Sequence, residues 1–118
     1  MAQRIIKFRG KHITTGEWLF GNYFNDGGEQ YILPSSILTI DNYEKFQVDG
    51  NTVGQYSGLQ DKNGTDIYED DIVEFELHRY VCKFAKGGFY FFDVEDNLPT
   101  LYVTTIIGNI HDNKELLK

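Results

Sequence analysis

The sequence predicts an all-β fold, and three observations carry that prediction. Helical periodicity is hard to find, while short apolar runs broken by Gly, Asn and Asp recur along the 118 residues. Aromatics make up 15% of the chain, with nine Phe and eight Tyr, and such side chains favour strands as well as supplying contact surface. In "DIVEFEL", Val73, Phe75 and Leu77 alternate with Glu74 and Glu76, which places three side chains inward and two carboxylates in water.

In chain order, "RIIKFRG" reads as a strand and Gly10 to Gly16 as a loop. "EWLFGNYF" is the returning strand, with Gly21 marking a bulge or a close backbone approach. "NDGG" at 25–28 is a turn, because Asn and Gly accept positive φ. "EQYIL" follows and is closed by Pro34. Residues 35–47 hold either a strand near Ile37–Ile40 or mostly loop, ended by "DGN" at 49–51. After "DIVEFEL", "YVCKF" puts Tyr80, Cys82 and Phe84 on one face and Lys83 on the other. "AKGG" turns the chain, "FYFFDV" returns with apolar groups on both faces, and "EDNLPT" is a loop. "LYVTTIIGNI" is a last strand long enough to bend. In "HDNKELLK", Asp112 and Glu115 have capping-box spacing, predicting a helix of one to two turns.

The length suits one domain, and 41% hydrophobic residues suffice for a real core. Cys82 is the single cysteine, which excludes an intrachain disulfide and fits a reducing compartment. The opening "MAQRIIKFRGKH" lacks the apolar run of a signal peptide, and no apolar stretch approaches ~18 residues. A cytoplasmic location with no membrane contact is expected.

Net charge is −7 and uneven. Residues 1–53 carry five bases and six acids, residues 54–118 six bases and twelve acids. Arg4, Lys7, Arg9 and Lys11 precede the first acid, whereas Asp66, Glu69, Asp70, Asp71, Glu74 and Glu76 fall where no base lies between Lys62 and Arg79. Such an acidic balance disfavours nucleic acid and anionic bilayers as partners. Either the acids are solvated turns and strand faces, or Asp66, Glu69, Asp70, Glu74 and Glu76 complement Arg4, Lys7, Arg9 and Lys11 within one chain or between chains. The basic arm with Phe8 interleaved leaves nucleic-acid association as an alternative, and the acidic surface leaves imitation of a phosphate backbone as another.

Chemistry-bearing motifs fail on spacing. Counted from Asp61, a calcium loop would need Gly at position 6 and Glu at 12, but Gly64 stands at 4 and Ile72 at 12. "DKNG" instead reads as a turn in which Asp61 accepts backbone N–H bonds and Asn63-Gly64 takes positive φ. Glu74 and Glu76 on a solvated strand face, with Asp70 and Asp71 in a turn, lack the cleft that acid–base work requires. His12, His78 and His111 are far apart in sequence, Cys82 reads as a small core residue, and Trp18 as core or interface. No catalytic, metal or cofactor residue is assigned.

"TVGQYSGLQDKNGTDIYEDDIVEF" nevertheless resembles the central motif of the YopX family, small proteins of phages and prophages. The family pattern is met by Thr52, Val53, Gly54, Gln55, Tyr56, Gly58, Leu59, Asp61, Lys62, Asn63, Gly64, Ile67, Tyr68, Glu69, Asp71, Ile72 and Val73. "IIKFRG" resembles the family's opening strand and "IIGNIHDNKELL" its closing segment. Ser57 stands for the usual Thr, and Asp70 for the Gly before the Asp of Gly-Asp-Ile-Val; Asp tolerates positive φ if the position requires it. The resemblance implies an SH3-like small barrel in the C-terminal part and motif residues that form turns and core. It implies no activity.

The expectation is therefore a single all-β unit, with residues 1–52 as an N-terminal β-hairpin layer and 53–118 as an SH3-like barrel with a short C-terminal helix. The expected role is a non-enzymatic interaction or assembly module of phage origin, partnered by a second copy or another protein.

Overall fold

A computed structural model describes residues 5–34, 42–85, 88–92 and 104–117. These residues are all-β and divide into two compact units, Met1–Gln55 and Tyr56–Lys118.

In the first unit, β1 (Phe8–Lys11) pairs antiparallel with β2 (Trp18–Asp26), β2 with β3 (Glu29–Pro34), and β3 with β4 (Gln47–Val48). The β2–β3 hairpin closes on Gly27 and Gly28, both at positive φ, which matches the right-handed twist of the flanking strands. Asn25 reinforces the turn by accepting the Gly28 N–H at 3.1 Å. The sheet curls until His12 bridges to Val48, and the Asp49 N–H donates to the Lys11 carbonyl at 2.8 Å. Ile32 and Val48 are buried inside the curl. Gly10 faces them, and a Cβ there would lie 2.9 Å from Val48 Cγ2 and 3.3 Å from Ile32 Cγ1, so closure needs a residue without a side chain. Gly21 is the close approach its sequence position suggests: a Cβ would sit 2.0 Å from the Leu33 carbonyl oxygen. Residues 35–41, including the Ile37–Ile40 segment, lie outside the described residues; Tyr43–Phe46 is a 3-10 turn.

Strand β5 (Gly54–Gln60) begins in the first unit, where Gly54 and Gln55 pair with Arg9 and Phe8. Its later residues pair with β6 (Asp66–Tyr68) through Tyr56↔Tyr68, Leu59↔Ile67 and Gln60↔Asp66. The second unit also holds a four-stranded antiparallel sheet ordered β10-β7-β8-β9, from β7 (Asp71–Phe75), β8 (His78–Ala85), β9 (Gly88–Phe92) and β10 (Thr105–Asn109). Its core is Ile67, Val73, Tyr80 and Cys82, with Phe75 and Ile106 packed against it. Burying each large apolar member contributes about 1.5–3 kcal/mol. The bend expected in the last strand is a register shift between Ile106 and Gly108.

Three expectations need correction. Among the described residues no closed SH3-like barrel forms; the strands stay in two antiparallel sheets. β6 is only three residues long, and its Tyr68 N–H donates to the Asp71 carboxylate at 2.8 Å, a side chain at the start of β7. The C-terminal helix is a single 3-10 turn, Lys114–Leu117, with the Leu116 N–H bonded to the Asn113 carbonyl. Asp112 is drawn to the Asn109 side chain, whose Oδ1 accepts the N–H groups of His111 and Asp112, so an Asn-centred turn replaces the capping box. Leu77 does not point inward, because β7 ends at Phe75 and Leu77 falls in the turn. Lys86, Gly87 and the "EDNLPT" loop lie outside the described residues.

Candidate functional site

The acidic stretch is built mostly of acceptors for the fold. Asp61 is buried; its Oδ1 accepts the N–H groups of Asn63 and Thr65 at 2.9 and 3.0 Å, and its Oδ2 accepts that of Ile106 at 3.1 Å. Burial raises its pKa, but the donors at Ile106, Thr65 and Asn63 and the charge of Lys62 together hold the carboxyl below its ordinary value. Gly64, at φ 80°, closes this turn. Asp66 accepts from Gln60, and Asp71 serves the Tyr68 N–H. Tyr56 and Tyr68 lie ring to ring at 5.6 Å, Ile67 is fully buried, and Gly58 has positive φ beside the half-exposed Leu59.

Asp70 occupies a left-handed position at φ 74°, where the family pattern carries Gly. Its carboxylate is 2.8 Å from Lys83 Nζ and 3.1 Å from His111 Nε2. Its backbone N–H donates to the Cys82 carbonyl, and its own carbonyl accepts from Ile110. Asp70 thus joins the β6–β7 turn to β8 and to the end of β10. Glu74 pairs with Arg79 at 3.6 Å, and Glu69 is half-buried. Among the described residues, no group of three or more His, Cys, Asp or Glu is placed to hold a metal ion.

The β7–β8 hairpin breaks the rules of its own turn. Phe75 pairs with His78, leaving Glu76 and Leu77 as the two central residues, at φ 49° and 71°. That backbone favours Asn-Gly, and an L side chain there costs roughly 1–2 kcal/mol per residue. Leu77 is also 92% exposed, so the chain's own fold returns nothing for the strain. Sequence reasoning missed this tip, because "EL" carries no turn chemistry and continues the alternation of β7.

The basic segment is split by the fold. Arg9 lies buried on β1 with its guanidinium 4.6 Å from the Trp18 ring centroid, and Lys11 Nζ is 5.8 Å from the same ring. Lys7 is half-buried before the strand, and Arg4 lies outside the described residues. Ile5 and Ile6, read from sequence as strand, precede β1 and are 62% and 57% exposed.

The first unit carries two further features. Phe24 stacks on Tyr31 with centroids 5.0 Å apart, and Tyr43 meets both rings edge-on. Burial first, then the charges of Asp26, Glu29 and Glu44, push the Tyr31 phenol up. The Tyr43 hydroxyl donates to Asp26, and that bond, helped by burial and by the charges of Asp26 and Glu44, raises its pKa to about 12. Beside the β2–β3 turn opens a cleft of about 570 Å³ whose walls include Ile13, Glu29, Gln30, Gln47, Asp49 and Asn51.

Among the described residues, no helix is long and apolar enough to cross a membrane. A comparison with curated proteins finds no match. The crystal structure of protein EF1440 from Enterococcus faecalis resembles this chain at a TM-score of 0.58 and 25% identity, covering 98% of this chain and 100% of that one. The family model described as YopX protein matches residues 7–118, nearly the whole length. This chain, with its Gly54–Val73 motif folded into β5, β6 and β7, belongs to the YopX family.

Proposed function

We propose that the protein is a non-enzymatic assembly module of phage or prophage origin, working in the cytoplasm of a bacterial host, whose partner is a second copy of itself. The observation that carries this reading is the Glu76–Leu77 tip. A leucine held at positive φ and almost fully exposed is unfavourable twice over in the isolated chain, and backbone outliers of this kind gather at functional surfaces. The complementary surface is the segment before β1. Ile5 and Ile6 supply exposed apolar area to meet Leu77, and Arg4 and Lys7 supply positive charge for Glu76 and Glu74. Of the wider pairing of Arg4, Lys7, Arg9 and Lys11 with Asp66, Glu69, Asp70, Glu74 and Glu76, this contact uses Arg4 and Lys7 with Glu74 and Glu76. Arg9 is stacked on Trp18, and Asp70 is engaged by Lys83 and His111.

The test is light scattering behind size exclusion, on protein freed of nucleic acid, at low and high salt. A defined oligomer that weakens with salt and is lost in Leu77→Asp supports the reading. A monomer at every concentration refutes it.

Nucleic-acid association is the second reading, favoured by the stacking of Arg9 and Lys11 over Trp18 beside the half-exposed Phe20. It requires single-strand binding that falls steeply with salt and is lost in Trp18→Ala.

A further inference from the structure

We propose that the cleft of the first unit is a binding site for a guanidinium- or ammonium-bearing aliphatic chain, such as an arginine side chain presented by a peptide. This inference rests on the first unit alone and is independent of self-assembly through the Leu77 tip. The cleft has a volume of about 570 Å³, ample for one extended side chain and its neighbours. Among the described residues its charged lining side chains are Glu29 and Asp49, with no base. An anion would be repelled by both carboxylates, and a wholly apolar ligand would strip them of water without replacing it.

The polar walls are held in place before any ligand arrives. Gln47 Nε2 donates to Glu29 Oε2 at 2.6 Å, and the Asn51 N–H donates to Asp49 Oδ1 at 3.0 Å. The Tyr23 hydroxyl donates to Gln30 Oε1. Gly50 keeps that wall open, since a Cβ there would stand 2.8 Å from Gln30 Cγ and displace the side chain. Each carboxylate therefore has one oxygen fixed by a neighbour and a second oxygen to offer, and the Gln47 and Asn51 amide oxygens add further acceptors. A guanidinium is the complement of such a set: it is planar, carries five N–H donors and accepts nothing. Ile13, 52% exposed on the same wall, covers the aliphatic stem.

The test is an NMR titration of the whole protein with n-butylguanidine and with its neutral isostere n-butylurea. Butylguanidine is expected to shift the amides of Ile13, Gly28, Gly50 and Asn51 saturably, and butylurea is not. Glu29→Gln and Asp49→Asn should each weaken the binding about tenfold, as expected when a charged acceptor becomes neutral. Glu29 is exposed, so its variant keeps the fold, and unchanged amide resonances of β1 and of Leu19–Tyr23 in β2, away from the cleft but in the same unit, report that directly. Equal shifts from both compounds would overturn the assignment. So would non-saturating shifts spread over the acids of residues 61–76, or an unaltered affinity in Glu29→Gln.

Discussion

Replacing Asp61 with Ala should cost the second unit about 3.5–4 kcal/mol of stability, and the figure follows from the geometry. The carboxylate takes three backbone N–H groups: Asn63 and Thr65 within the turn, and Ile106 on β10. Hydrogen bonds to a charged acceptor contribute ~1.5–3 kcal/mol each when their donors stay dry after the loss. Asn63 and Thr65 are exposed, so water recovers part of their loss, leaving ~1 kcal/mol apiece. Ile106 is half-buried at the edge of the core, so its donor accounts for the remaining ~1.5–2 kcal/mol. Asp61→Asn should cost about half as much, since one amide oxygen still accepts while the –NH2 faces a donor. Trp18, the single tryptophan, sits in the first unit, so fluorescence reports on the wrong half. Urea unfolding followed by far-UV circular dichroism, with hydrogen exchange at Thr65 and Ile106, is the appropriate assay. The pH dependence adds a second check. The folded pKa of Asp61 lies below its unfolded value, so its contribution is complete above about pH 4 and disappears as pH falls through the folded value. The wild type should lose stability over that acid window, and Asp61→Asn should lose less. A cost below ~0.5 kcal/mol for Asp61→Ala, or an identical acid profile in Asp61→Asn, would refute the reasoning.

Gly10→Val should destabilise the first unit by about 1–3 kcal/mol, because the new side chain collides with Val48 and Ile32; Trp18 fluorescence in denaturant measures it. Glu76→Asn with Leu77→Gly should raise stability by ~1–2 kcal/mol while abolishing assembly, an opposition that combined melting and scattering would reveal. In a spectrophotometric titration, the Tyr43 phenol should ionise only near pH 12, and Asp26→Asn should bring that step down towards the ordinary tyrosine range.

Much of the fold was legible where local chemistry decides it. "NDGG" turned as read because Gly27 and Gly28 take positive φ and Asn25 bonds across them. "DKNG" was legible for the same reason, with Asp61 as the local acceptor. The reach of Asp61 to Ile106 was not, being a contact between residues 45 apart in sequence. Leu77 misled because a period of two runs through Phe75 into the turn, and nothing in Glu-Leu announces the reversal. The C-terminal capping pattern misled because Asn109, three residues before Asp112, captures its carboxylate. Gly10 reads as the start of a loop, yet it lies within β1, where the pressure on it comes from Val48 and Ile32. The cleft draws on Ile13, the β2–β3 turn and residues 47–51, which only the curl of the sheet brings together. Asp70 stands out in the sequence as a departure from the family pattern, but its partners Lys83 and His111 are tertiary.

The most direct test of assembly through the tip is complementation between two disabled chains. One carries Ile5→Glu and Ile6→Glu and keeps its tip; the other carries Leu77→Asp and keeps its arm. Each alone should be a monomer by light scattering, while an equal mixture should give a one-to-one heterodimer through the single intact arm–tip contact. If the mixture stays monomeric, or if either variant alone assembles like the wild type, the arm and the tip are not partners and the account of assembly fails.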